Sequence, residues 1–440
     1  MQKMLNWIEL KLMPPMARFA EQRHMKAIRN GVISTLSLIM IGTLFLTISN
    51  LPIPGFEEWI IPYKADLVIP FRITMGLLGI YGSFSIGYNL TKSYKLDGIT
   101  GGILSLATFL MLTIPKNVDA LLPEGKGIGL GWVMPMDYLG GSGMFSAILA
   151  AIFASEMYRL FTKRNITIRM PEQVPPAVAR SFEALIPGFF IITFVWVIRV
   201  LLGFDINKML MDLFAPLVDI MGNNLLGVLL PMFFIHLLWA AGVHGMSIIG
   251  SLVRPMWLVM LDANADAFAS GTAITDLPYI APEQFYQWTV TIGGAGVSIS
   301  ICILLLFCRS KFLKQVGRFS LLPGIFNINE MLIFGVPIIM NPILALPFII
   351  APLVTSTISY FAVSMGLVNG FISNQAWTLP APIGAYLSSG NDWRMIVLVV
   401  INILVAMAIY FPFVRMYDKQ MLAEEKANEA AEKENTVQTA

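Results

Sequence analysis

The stretch Arg318–Pro342 reads RFSLLPGIFNINEMLIFGVPIIMNP. It is apolar enough to enter a bilayer, yet Pro323, Gly324, Asn327, Asn329, Glu330, Gly335 and Pro337 interrupt it. A plain spanning helix has no use for such breaks. Two half-helices that meet at an irregular polar tip do, because non-helical backbone at membrane depth survives where it is buried in protein or lines a cavity. The stretch therefore predicts a re-entrant hairpin. An ionisable residue at its tip makes Glu330 a functional candidate. The plainer reading is a structural glutamate paired with a cation. Arg318, the nearest basic residue in sequence, lies beyond Pro323 and Gly324, and a partner from another helix stays open.

The rest of the chain fits a membrane setting. Of 440 residues, 56% are hydrophobic and 13% are charged, against about 25% charged in soluble proteins. A soluble chain of this length divides into about three domains, and the polar side chains to cover them are missing. This excludes a water-soluble enzyme, a nucleic-acid-binding protein and a disordered chain. The net charge of +2 leaves no polybasic surface for nucleic acid. The fold class is all-α and polytopic, with interfacial amphipathic helices. A crossing needs about 20 apolar residues. Candidates are Val32–Ser49, Leu67–Leu90, Gly98–Pro115, Met144–Leu160, Ala184–Leu202, Leu225–Gly242, Val290–Cys308, Pro342–Val363 and Met395–Phe413. Met246–Leu261 is weaker, because Arg254 and Pro255 interrupt it.

Lys and Arg gather on the cytoplasmic side. The N-terminal segment and the loops after Leu160 and Cys308 are basic, whereas residues 50–66, 117–137 and 205–219 are acidic or neutral. These sets alternate when Met246–Leu261 crosses, giving ten crossings and both termini cytoplasmic. Residues 1–30 form an amphipathic segment, and Asn207–Met221 reads similarly. Residues 418–440 form a solvated helix or a disordered end. No hydrophilic stretch is long enough for a soluble domain, and no Walker A pattern occurs.

Other polar features inside apolar sequence are few. His244 sits between Gly242 and Gly245 in WAAGVHGMSIIG. It can take and release a proton near neutrality, and the flanking glycines let a ligand approach. On its own, a buried, satisfied histidine is the better-supported reading. His236 is expected to be structural or interfacial, and His24 solvated. Gly293–Gly296 reads as close helix packing. Gly141, in the run Gly140–Gly143 at a helix start, is a candidate to line a cavity and meet a substrate. Trp377, in NQAWTLPAPIG, offers a face for a sugar ring, although on its own an interfacial anchor is the better-supported reading. Cys302 and Cys308 read as buried or lipid-facing, without metal-ligand spacing. No metal and no cofactor is expected.

Together, PEQVPPAVARSFEALIPGF (Pro171–Phe189), AAGVHG around His244, GIFNINEMLIFGVPIIMNP (Gly324–Pro342) and AWTLPAPIGAY (Ala376–Tyr386) resemble the sugar-transporting IIC components of the bacterial phosphotransferase system. The similarity is to the lactose, cellobiose and diacetylchitobiose branch, and it runs from about Met4 to Tyr417. Met331 stands where the family often has Pro, GGAG stands for GGSG, and the Arg254–Asp276 region matches poorly. The resemblance implies an N-terminal transmembrane group, residues 31–205, as dimer scaffold, a C-terminal transmembrane group, residues 206–417, and a homodimer. It implies a C-terminal group with two re-entrant hairpins that carries the sugar as a rigid body. It also implies partners: a β-linked disaccharide, membrane lipid, and a separate IIB protein whose phosphocysteine donates to the sugar's 6-hydroxyl. Glu330 and His244 would lie by that hydroxyl, Asn327 and Asn329 would bond others, and Trp377 would stack on a ring. The rival class is an ion-coupled or facilitative sugar transporter, which would carry acidic residues in several spans.

Overall fold

Small residues decide how the first helices pack. The computed structural model of the protein describes residues 18, 22–48, 56–121, 127–168, 170–171, 173–242, 244–336, 338 and 341–438. Helices α1 (Arg23–Ile33), α2 (Leu36–Ile48), α3 (Phe56–Ile60), α4 (Lys64–Thr74), α5 (Leu78–Ser93), α6 (Gly98–Leu112) and α7 (Met144–Lys163) come first. Asp97 starts α6 by accepting the Thr100 N–H at 2.9 Å, the usual device for an unpaired helix end. A Cβ at Gly87 would strike Ser105 and one at Gly101 would strike Thr91, so α5 and α6 touch backbone to backbone. Ala147, Ala150, Ala151 and Ala154 give α7 a buried small-residue stripe. The amphipathic segment expected over residues 1–30 lies mostly outside the described residues. His24, expected to be solvated, reaches Glu156 at 2.9 Å.

The all-α reading needs one amendment. Between α6 and α7, β1 (Lys116–Leu121) pairs antiparallel with β2 (Gly127–Val133). This hairpin lies in the expected outer loop, where paired strands satisfy their own backbone groups.

The remaining helices are α8 (Pro176–Glu183), α9 (Leu185–Trp196), α10 (Ile206–Asn223), α11 (Leu225–Ala240), α12 (Gly245–Ala269), α13 (Glu283–Thr289), α14 (Ser298–Leu305), α15 (Lys311–Ile325), α16 (Glu330–Gly335), α17 (Pro342–Ser364), α18 (Ala381–Ser388) and α19 (Trp393–Gln438). Among the described residues, Ile61–Ser93, Gly141–Lys163, Ile343–Ser364 and Trp393–Ala427 are long and apolar enough to cross a membrane. The bent pair Leu185–Leu201 and Ile206–Asn223, at 81°, makes a fifth if counted as one span. Gly98–Leu112 and Leu225–Ala240 are shorter apolar helices.

Two expectations change. Val290–Cys308 is not one crossing: the chain breaks at Gly293–Val297, where four residues have positive φ, leaving α14 only eight residues long. The interrupted segment Met246–Leu261 belongs to a continuous 25-residue helix, α12, that runs through Arg254 and Pro255 to Ala269. Residues 418–438 continue α19 as helix, one of the two forms expected of this end. Arg199, inside the apolar run Ala184–Leu202, donates from Nε to the Leu112 carbonyl at 2.8 Å, and its guanidinium pairs with Asp205 at 3.0 Å.

Two apolar cores meet at α12. The larger gathers side chains from α10 through α19, Trp257, Val259 and Met260 of α12 among them. The smaller gathers Ile28, Phe71, Leu78, Ile86 and Ala151 with Leu258, Leu261 and Ala265, the other side of α12.

Candidate functional site

Asn327 sits where three breaks in helical structure come together. Its backbone is left-handed, φ +62°, a conformation asparagine tolerates better than most residues. Its Nδ2 donates to the carbonyls of Trp377 and Leu379, both at 2.8 Å. Its Oδ1 accepts the Gly293 N–H at 2.9 Å. One side chain thus joins the Arg318–Pro342 hairpin tip, the Gly293–Val297 break and the extended run before α18. Both amide hydrogens are committed to backbone, so its first task is to hold these tips together. Asn329 does related work. Its Nδ2 donates to the Ala295 carbonyl at 3.0 Å, and its side chain occupies the space that a Cβ on Gly294 would fill. The Gly293–Gly296 run, expected as helix packing, is instead a backbone break, and Gly294 and Ala295 line a cavity.

That cavity, about 380 Å³, is also lined by His244, Trp239, Arg254, Glu283, Gln284, Asn327, Asn329, Asn374 and Trp377. Four of the six residues named as candidates from sequence therefore face one space. Glu330 opens α16 directly after Asn329, and its side chain lies outside the described residues. Gly141 is not among the lining residues. Its N–H donates to Asp262 Oδ2 at 2.8 Å, and a Cβ there would meet Asp262 and the Leu258 carbonyl. It is packed against α12.

His244 caps the N-terminus of α12. Its Nδ1 accepts the Ser247 N–H at 3.1 Å, and the Ser247 hydroxyl lies 3.0 Å from the same nitrogen. A backbone N–H can only donate, so the neutral ring carries its hydrogen on Nε2. The ring packs on Trp239 with centroids 4.4 Å apart. His236 contrasts with it. Fully buried, it donates from Nδ1 to the Met232 carbonyl at 2.7 Å and accepts the Gly296 N–H at Nε2, 2.9 Å. It braces the glycine break from behind.

The cavity holds polar groups that sequence reasoning did not select. Arg254 Nε reaches both oxygens of Glu283, at 3.0 and 3.1 Å. The pair ties α12 to α13 and keeps the wall close to neutral. Gln284 donates to Asn374 Oδ1 at 3.0 Å, while its buried Oε1 has no partner among the described residues. The buried Trp239 Nε1 also has none among them. A neutral, amide-rich cavity with an exposed indole, Trp377 at 54%, suits a ligand of many hydroxyls. The signal for Arg254 was present as an interruption of an apolar run. Its partner lies 29 residues away, and no local pattern connects them. Among the described residues, no group of three or more His, Cys, Asp or Glu could hold a metal ion.

Comparison with known proteins gives a consistent result. The family described as Phosphotransferase system, EIIC matches residues 29–352. The lichenan permease IIC component of Bacillus subtilis (strain 168) is 40% identical, over 97% of this chain and 96% of that protein. The cellobiose-specific EIIC component of Geobacillus stearothermophilus is 38% identical, over 97% of each. The crystal structure of ChbC, the IIC component of the N,N'-diacetylchitobiose-specific phosphotransferase system, superposes with a TM-score of 0.88 at 39% identity, covering 96% of this chain and 99% of ChbC.

Proposed function

Because the chain belongs to the phosphotransferase system EIIC family and is a sugar permease component of that system, we propose that it carries a β-linked disaccharide of the cellobiose or diacetylchitobiose kind. The sugar lies in the cavity beneath the hairpin tips and is phosphorylated on its 6-hydroxyl by a separate IIB subunit as it reaches the cytoplasm. The observation that carries this is the convergence of His244, Asn329 and Trp377, from three distant segments, on one neutral polar cavity.

The chemistry follows from the groups present. The hydroxyl oxygen attacks phosphorus, the O–P bond forms, the S–P bond of the IIB phosphocysteine breaks, and sulfur leaves with the electron pair. The hydroxyl must lose its proton, and a carboxylate within reach can take it. Glu330 is that base. With Nδ1 already accepting a backbone N–H, neutral His244 offers Nε2–H as a donor, so it orients the hydroxyl and does not deprotonate it. Gln284 Oε1 accepts from a further hydroxyl, Trp377 stacks on a ring, and Asn327 is a positioning residue that fixes the tips. Phosphoryl transfer otherwise depends on alignment and charge neutralisation, which the IIB side supplies.

Residues 206–417 move as a rigid body across the bilayer, residues 31–205 stay as the scaffold of a homodimer, and both termini face the cytoplasm. The test uses wild type, Glu330→Gln and His244→Ala in vesicles, following exchange of labelled cellobiose and its phosphorylation when phosphorylated IIB is added. Glu330→Gln is expected to slow phosphorylation by about 10²–10⁴-fold while exchange continues. Wild-type exchange and phosphorylation in both variants would remove the assignment. Accumulation driven by a proton or sodium gradient alone would favour the ion-coupled alternative. Binding of cellobiose, diacetylchitobiose and lactose in parallel identifies the sugar.

A further inference from the structure

A second cavity lies at one end of the bundle, away from the sugar site. It measures about 340 Å³ and is lined by Leu304, Phe307, Cys308, Arg309, Phe411, Val414, Arg415 and Asp418. Here α14 ends, α15 begins, and α19 passes from its apolar run into charged sequence. The one carboxylate in the lining is already engaged. Asp418 accepts the Arg309 N–H at 2.9 Å and the Ser310 N–H at 2.8 Å. Glu425, two turns further along α19, accepts the Ser310 hydroxyl at 2.6 Å and the Phe312 N–H at 2.9 Å. Both acids therefore cap the start of α15. Among the described residues, neither the Arg309 nor the Arg415 guanidinium has a carboxylate partner. The Arg415 guanidinium lies over the Phe411 ring, 5.9 Å from its centroid.

Below the arginines the surface is apolar and open. Phe307 is 79% exposed and Phe411 is 51% exposed, and most of the apolar part of α19 is not buried in protein. Two guanidiniums lining one cavity with exposed rings, one of them over the Phe411 ring, match a phosphodiester joined to acyl chains. Arginine forks fit phosphate oxygens, and basic pockets between spans recognise anionic headgroups. A soluble partner meets the arginines but has no use for the rings beneath them.

We propose that this cavity binds an anionic phospholipid, with its phosphate between Arg309 and Arg415 and its acyl chains along Phe307 and Phe411. The lipid then bridges the α14–α15 link and α19, one surface of the C-terminal group.

Native mass spectrometry of the purified protein, titrated with phosphatidylglycerol or phosphatidylcholine, tests this. Wild type is expected to retain phosphatidylglycerol in preference. The Arg309→Gln/Arg415→Gln double variant should hold it about thirtyfold more weakly, the change that two basic residues at a membrane surface confer. Arg309→Lys/Arg415→Lys should keep the preference, and millimolar inorganic phosphate should not displace the lipid. Equal retention of the two lipids by wild type overturns the proposal without need of any variant. Displacement by phosphate would make this a free-phosphate site. Unchanged lipid retention with weakened IIB binding in the Gln double variant would make it a protein-docking site.

Discussion

The hairpin tip at Asn327 and the helix α12 both hold polar groups within apolar surroundings, by opposite means. At the tip the backbone is broken, and a side-chain amide satisfies the freed N–H and carbonyl groups. In α12 the backbone is unbroken over 25 residues. There the polar side chains are the problem, and each is met by a partner from elsewhere: Arg254 by Glu283, Asp262 by the Gly141 and Ser142 N–H groups. The broken segments give the cavity part of its lining, at Gly294, Ala295, Asn327 and Asn329. An unbroken one gives it a rigid edge, anchored in both apolar cores.

Removing one partner in each region should show which arrangement is the more costly to disturb. The largest effect is expected in α12. Glu283→Ala leaves the Arg254 guanidinium unpaired and should lower stability by about 3 kcal/mol, the low end for a buried pair. Arg254→Met/Glu283→Met should recover much of that in thermal unfolding. A single variant as stable as wild type would show that the pair does not hold α12 to α13. Next, Asn327→Ala strands one N–H and two carbonyls and should cost about 2 kcal/mol, with sugar affinity falling in parallel by calorimetry. Full affinity in a folded Asn327→Ala protein would show that the tips do not need their shared clamp.

Gly141→Ala is a sharper probe of smaller size. The added methyl meets Asp262 and the Leu258 carbonyl, and overpacking of this kind costs about 1–2 kcal/mol. Stability should fall while sugar affinity holds. Lost affinity at full stability would return Gly141 to the sugar site. The smallest effect is expected from Ser247→Ala. It removes the hydroxyl beside His244 Nδ1 but keeps the N–H, so the tautomer survives, and affinity should change by about 0.5 kcal/mol or less. A loss as large as that of His244→Ala would mean that the hydroxyl, not the N–H, sets the ring.

Some of this was legible locally. Asn327 and Asn329 inside apolar sequence marked a break, because freed backbone at membrane depth must be satisfied within the protein, whereas Pro323 and Gly324, read as part of the same break, lie inside α15. The same logic found His244 between its glycines. It failed at Gly293–Gly296, where packing and breaking look alike in sequence and only the positive φ values distinguish them. It failed again at Arg254, which reads as a flaw in a span until Glu283 is placed beside it. In sequence, Glu330 stands out as an ionisable residue at a polar tip inside an apolar stretch. The fold adds Arg254, Glu283 and Asp262, each engaged by a partner remote in the chain.

From its sequence alone this chain is a membrane protein with a polar re-entrant tip, and its motifs carry the family resemblance. Those are properties of composition and of neighbouring residues, and a bilayer makes them unambiguous by penalising every exposed polar group. Tertiary structure decided which groups are paired, which nitrogen of His244 carries the hydrogen, that Asn327 clamps three tips, and that Gly141 packs on α12 rather than lining the cavity. Hydrogen bonds and ion pairs are short and directional. Their partners here come from remote segments, so the pairing exists only once the chain has folded.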